Sequence, residues 1–137
     1  MIINFIMVSQ ANADTFVSVM PFFSIPDGNY AKCEEGMKNF IAKMTPEAEP
    51  KCLFYGFTVS EDKKNALCRE AYDDAEAVLS HLGRIDAELK AFTAEGSAKL
   101  DRLELHGPAA ELEKLKEPLK DINPVYFVTQ AGGFMRK

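Results

Sequence analysis

Residues 51–72 read KCLFYGFTVSEDKKNALCREAY. Two runs rich in aromatic, branched and apolar residues, 51–59 and 66–72, flank the short polar loop Ser60-Glu61-Asp62-Lys63-Lys64-Asn65. Such a pattern predicts a β-hairpin. The first run is apolar on both sides. Alternation puts Cys52, Phe54, Gly56 and Thr58 on one face and Leu53, Tyr55, Phe57 and Val59 on the other. A sheet with one solvated face alternates apolar and polar residues. This strand does not, so both faces of its sheet are expected to be covered.

Upstream, residues 15–25 (TFVSVMPFFSI) predict another strand that is apolar on both sides. Pro21 cannot donate to a ladder, so an edge or a bulge is expected there. Pro26-Asp27-Gly28-Asn29 is a turn and helix start. Tyr30, Cys33, Met37, Phe40, Ile41 and Met44 then recur at helical spacing, and Pro46 and Pro50 end the helix. Downstream, Asp73 followed by Glu76 has the form of a capping box. It opens a long helix over 73–92 with a stripe of Ala75, Val78, Leu79, Leu82, Ile85, Leu89 and Phe92. Residues 100–106 (LDRLELH) alternate as a strand. Gly107-Pro108 opens a short helix lined by Leu112, Leu115 and Leu119, and residues 124–130 form the last strand. Gly56 inside a strand marks a bulge or a close approach.

The order is β-α-β-β-α-β with an extra C-terminal helix and strand. That is an α+β, ferredoxin-like arrangement with helices on one face. A partner subunit is the simplest cover for the second face, so a homodimer with two sheets facing each other is expected. The chain of 137 residues fits one domain, 15–137, behind an apolar arm of residues 1–14. Residues 1–13, MIINFIMVSQANA, have no basic residue and are shorter than a secretory signal of roughly 15–30 residues. They are also too short for a transmembrane helix of about 20 apolar residues. An extra strand, an arm ordered on a partner or larger assembly, and the stump of a longer leader all fit. The net charge of −5, with no basic tract before the tail Arg136-Lys137, argues against nucleic acid. Cys33, Cys52 and Cys68 form no CxxC pair and their count is odd. They read as buried apolar residues in a reducing compartment, the cytoplasm or an organelle interior, with no metal site.

The segments EPKCLFYGF (49–57), CREAYDDAEAVLSHL (68–82), LDRLELHGPAAELEKL (100–115) and the Gly-Gly-Phe at 132–134 resemble the antibiotic biosynthesis monooxygenase-like (ABM) family of dimeric α/β barrels. The resemblance spans residues 17–134. It implies a ferredoxin-like protomer, a homodimer, and a pocket between sheet and helices. Characterised members of that family include cofactor-independent oxygenases of quinols and polyketide aromatics, haem-degrading oxygenases and an isomerase. The haem-degrading branch uses an Asn, a Trp and a haem-ligating His. This chain has no Trp, so His81 alone leaves that set incomplete and no cofactor is expected.

Candidate residues follow from position and chemistry. His81 falls on the rim of its helix's apolar stripe, where it would reach a pocket or solvent and titrate near neutrality. Cys68, Glu70 and Tyr72 share one strand face, with Arg69 on the other. A buried Glu70 must hold a proton or find a partner, and Arg102 is the candidate partner. Tyr72 would orient a phenolic or quinone oxygen. Phe23, Phe54 and Tyr55, with Phe22 and Phe57, would line an aromatic pocket or simply pack the core. Arg69 and His106 are candidate ligand contacts, although cross-strand charge pairs account equally for Arg102, Glu104 and His106. The expected activity is binding of a small apolar or aromatic molecule with cofactor-independent monooxygenation of a quinol or phenol. His81 or Glu70 is its base. A non-catalytic ligand-binding or docking protein is the competing reading, and an isomerase the third.

Overall fold

The computed structural model describes residues 14–94 and 96–134. The apolar arm expected over residues 1–13 and the basic tail 136–137 lie outside the described residues. The elements are β1 (Val17–Ser24), α1 (Tyr30–Lys43), β2 (Cys52–Val59), β3 (Asn65–Tyr72), α2 (Ala75–Arg84), α3 (Asp86–Phe92), β4 (Lys99–Gly107), α4 (Ala109–Lys116) and β5 (Val125–Val128). The five strands form one sheet in the order β2-β3-β1-β4-β5. The first four pair antiparallel, which is the ferredoxin-like core, and β5 adds parallel to β4. The helix between β4 and β5 is what allows that parallel pairing, since a hairpin cannot.

Pro21 sits in the central strand, not at an edge. β1 pairs β3 at residues 17–19 and 22–24, and its register with β4 shifts between Phe22 and Phe23. The bulge expected beside proline is therefore present on the β4 side. Gly56, in contrast, marks neither bulge nor close approach. A Cβ there would meet nothing within 4 Å. The irregularity of β2 lies between Cys52 and Phe54 instead. It moves Cys52 opposite Tyr72, onto the face of Tyr55 rather than that of Phe54.

Val17, Val19, Phe23, Leu103 and Leu105 point to the helices and are buried. The core divides in two. One cluster packs Val17, Tyr72, Val78 and Leu105 against Leu112 and Leu115 of α4. The other packs Phe23 against Cys33 and Phe40 of α1 and against Ile85 and Phe92. Ile41, placed in the α1 stripe by sequence, is 46% exposed.

The long helix expected over 73–92 breaks at Ile85, which leaves helical geometry at φ −101°, ψ 12°. Two causes are visible. Gly83 weakens the preceding turn. The Arg84 carbonyl accepts from Lys43 Nζ at 2.7 Å, a bond from a neighbouring helix. The N-cap is Asp74, one residue later than expected. Its carboxylate accepts from the Ala77 amide at 2.9 Å. That shift takes Glu76 out of capping-box position. The Ala75 amide is capped by the buried Glu111 of α4 at 3.0 Å, which ties two helices through an otherwise orphaned donor.

Phe92 fills the space between α1 and the sheet, edge-on to Phe23 at 5.0 Å and to Phe40 at 5.6 Å. A Cβ on Gly36 would lie 2.6 Å from Phe92 Cδ1. Phe92 is boxed in by those two rings and has little room to yield. Gly36→Ala should therefore destabilise the protein by about 1–3 kcal/mol, the usual cost of overpacking, despite the higher helix propensity of Ala. Urea unfolding measures it, and a neutral or stabilising result would mean that Phe92 repacks freely.

Candidate functional site

The alternation of β2 and β3 sorts the candidate residues. Tyr55 pairs with Glu70 and Phe57 with Cys68, so these four face the helices. Between the two core clusters lies a cavity of about 50 Å³. Its walls are almost wholly apolar and include Phe23, Tyr55, Phe57, Leu82, Ile85 and Ile122. Its polar corner is Cys68, Glu70 and His81. An apolar cavity of about 150 Å³ holds a benzene ring. This one is a third of that, so an aromatic ligand enters only if wall side chains turn.

Glu70 is 4% exposed and among the described residues has no lysine or arginine beside it. Its Oε2 accepts from the Cys68 thiol at 3.2 Å, and its Oε1 lies 3.8 Å from His81 Nε2. Desolvation raises the Glu70 carboxyl to about 8 against an ordinary 4.5; the thiol hydrogen bond opposes this and the Glu49 charge adds to it. At neutral pH it is mostly the neutral acid. Desolvation, with the charge of Glu70, likewise pushes the Cys68 thiol far up, so it is a hydrogen-bond donor and not a nucleophile.

His81 is 2% exposed, not on a rim. The turn of α2 points it at the sheet, where the ring lies between Tyr55 (5.5 Å between centroids) and Tyr72 (5.1 Å). Its Nδ1 is 3.1 and 3.0 Å from the two carboxylate oxygens of Glu49. Arg84 Nη1 meets Glu49 Oε2 at 2.6 Å, and Arg84 Nη2 also donates to the Lys43 carbonyl at 3.2 Å. Burial lowers the basicity of His81, Glu49 raises it and Arg84 lowers it again, with a net downward result. A row Glu70, His81, Glu49, Arg84 thus runs from the cavity toward the surface.

Of the residues expected from sequence, the structure brings Glu70, His81, Tyr55 and Phe23 together. Tyr72 shares the inner face with Glu70 but does not line the cavity. Its ring backs His81 from the other side, and its hydroxyl is buried in the wall of a surface groove with Cys52. Phe54, Arg69 and His106 are corrections. The registers place them on the opposite face, open on this protomer, beyond reach of the cavity. Arg102 also lies there, so it cannot pair with Glu70. It meets Glu104 at 2.6 Å, as His106 does at 3.1 Å, along one strand rather than across two. Glu49 is the residue that sequence reading missed. It sits in a loop bracketed by Pro46 and Pro50, which reads simply as a helix stop. Among the described residues, no group of three or more His, Cys, Asp or Glu side chains is arranged to hold a metal ion. Among the described residues, no helix is long and apolar enough to cross a membrane.

No protein-family model matches the chain, and no curated protein sequence matches it. Solved structures do. MupZ from Pseudomonas fluorescens is 36% identical over 89% of this chain and 95% of its own, with a TM-score of 0.77. An antibiotic biosynthesis monooxygenase superimposes with a TM-score of 0.56 at 16% identity, over 65% of this chain and 94% of that one. Rv0793 from Mycobacterium tuberculosis gives 0.55 at 21%, over 69% and 95%. The two distant structures establish the fold, and the identity with MupZ carries the relationship beyond it. The chain belongs to the family of MupZ, and its fold is that of the antibiotic biosynthesis monooxygenase-like proteins.

Proposed function

We propose that this protein is a homodimer that binds a small apolar or aromatic molecule in the cavity beside Glu70. We further propose that it oxygenates a phenol or quinol there without a cofactor. The observation that carries this is the Glu70–His81 pair buried against an apolar cavity. A neutral imidazole in a dry site takes a proton from an acidic O–H or C–H, and the neutral Glu70 acid donates a hydrogen bond to the oxygen where charge develops. The resulting electron-rich anion reacts with O₂. One oxygen atom enters the substrate, and the other leaves as water with two substrate hydrogens. Exclusion of solvent keeps the anion from being reprotonated.

The small volume of the cavity, about 50 Å³, favours a second reading, a carrier that releases its ligand unchanged. Oxygen uptake separates the two. With a panel of phenols and quinols, wild type should consume O₂ in step with product, and ¹⁸O₂ should label the product. His81→Ala and Glu70→Gln should each lower kcat by about 10²-fold or more. Ligand binding without uptake would leave the carrier reading and sink the oxygenase.

Dimerisation rests on the open face of the sheet. Phe54, Val125 and Phe127 are 48, 41 and 47% exposed there, beside Phe22 stacked under Arg102. Phe54 on one edge strand and Val125 and Phe127 on the other leave exposed apolar side chains at both edges of one sheet face, a surface for association. Sedimentation should give a dimer for wild type and a monomer for the double variant Phe54→Glu, Phe127→Glu. A wild-type monomer would overturn the arrangement.

The raised pKa of Glu70 also predicts a pH dependence of stability. The folded protein holds a proton that the unfolded chain releases between about 4.5 and about 8. The stability contributed by the neutral acid is fully present below about 4.5 and is lost as pH rises through about 8. Urea unfolding of wild type should therefore weaken across that window, and Glu70→Gln should flatten the trend. Parallel curves for the two proteins would show Glu70 already ionised at neutral pH.

A further inference from the structure

We propose that Glu49 is a positioning residue: it holds His81 with its proton on Nδ1, so that the lone pair of Nε2 faces Glu70 and the cavity. The inference rests on the reading of His81 as the base, and it adds the residue that determines which of its nitrogens can act.

The two ring nitrogens meet opposite surroundings. Nδ1 points at a carboxylate with both oxygens within 3.1 Å. A carboxylate only accepts, so the nitrogen between those oxygens must carry the hydrogen. Glu49 Oε2 also accepts from Arg84 Nη1 at 2.6 Å, and Arg84 is itself anchored on the Lys43 carbonyl. The loop that carries Glu49 is closed by its own turns. The amides of Ala48 and Glu49 donate to the Thr45 carbonyl at 3.1 and 3.0 Å, and the Cys52 amide donates to the Glu49 carbonyl at 3.0 Å. The carboxylate is therefore delivered to one place. Tyr55 and Tyr72 flank the ring on β2 and β3, so a flip that would exchange the nitrogens is blocked by packing.

The sides also differ in access to water. Nε2 faces the cavity of about 50 Å³. Glu49 lines a surface groove of about 340 Å³ with Lys51, Cys52, Tyr72 and Ser80. A proton accepted at Nε2 is balanced by sharing of the Nδ1 proton with Glu49, whose charge steadies the imidazolium. The proton then leaves on the groove side, away from the substrate. This carboxylate–imidazole logic needs no third group inside the cavity. The ionisable groups facing His81 are Glu49 from the loop, Tyr55 and Cys52 from β2, Cys68, Glu70 and Tyr72 from β3, and Arg84 on its own helix. Glu49 and Arg84 act on its basicity in opposite directions, upward and downward.

The test is ¹⁵N NMR of the imidazoles in the full-length protein, with His106→Gln to assign the two histidines. Wild-type His81 should be the neutral Nδ1–H tautomer at pH 7. In Glu49→Gln the preference should be lost and the His81 midpoint should fall by about one pH unit or more. In Arg84→Met the tautomer should persist and the midpoint should rise. An Nε2–H tautomer in wild type, or an unchanged midpoint in Glu49→Gln, would overturn the assignment. The wild-type spectrum decides the matter even if Glu49→Gln fails to fold. No substrate is needed, so the outcome is separable from that of the oxygenase reading. Nδ1–H with no turnover of any phenol or quinol would sink the chemistry and keep Glu49 in its role.

Discussion

Glu70 is carried into the interior by the alternation of β3, where it falls between Cys68 and Tyr72 on the face that the helices cover. No lysine or arginine reaches it among the described residues. Water solvates a carboxylate far better than Leu, Phe and a thiol do, and the group answers by keeping its proton. Much of the site follows from that one cost. The imidazole opposite Glu70 is not drawn into an ion pair with it, because the acid is neutral at pH 7 and the imidazole is too. The charge that the arrangement does hold, on Glu49, is placed on the far side of the ring, where Arg84 and the surface solvate it. An ionised pair at Glu70 and His81 would have made a structural salt bridge. A neutral acid and a neutral base side by side are the pair on which the proposed proton transfer rests.

The same alternation determines what was legible in the sequence. The hairpin of β2 and β3, the parity of Cys68, Glu70 and Tyr72 against Arg69, and the order of the elements all follow from runs and turns that are local in the chain. Three things were not local. The break of the second long helix depends on a lysine from α1 reaching the Arg84 carbonyl. The N-cap shifted by one residue because Glu111, 36 residues away, caps the next amide. Cys52 went to the wrong face in the reading because a bulge at Cys52–Phe54 leaves no mark in composition. The burial of His81 belongs with these. Measured against the helix stripe alone it lies at the rim, and only the tyrosines of two strands make that rim an interior.

Glu49 shows why half of the candidate site was invisible. Its neighbours, Pro46 and Pro50, are read as punctuation, and a glutamate between two prolines looks like a solvated loop. What brings it to the candidate site is a contact across 32 residues to His81 Nδ1. Glu70 could be singled out because a charged residue in a doubly apolar strand breaks a local rule. A charged residue in a loop breaks none. Sequence therefore exposes the polar group that is out of place and hides the one that makes its neighbour useful.

The relationship to MupZ and to antibiotic biosynthesis monooxygenases bears on the fold more tightly than on the chemistry. The distant structures share the sheet and its helices at 16% and 21% identity, a level at which walls and polar corners of a cavity are free to change. A fold of this kind supplies a strand face opposite a helix and leaves the reaction to whichever side chains stand there. In this chain they are an acid without a counter-ion and a histidine between two tyrosines, with a carboxylate behind it. Each is costly to bury unless its neighbours compensate. The compensation here runs in one direction, from the cavity to a groove at the surface, and the proposed proton route rests on that direction. A cluster that only stabilised the core would close on itself. This one ends at Arg84, which is still 32% exposed.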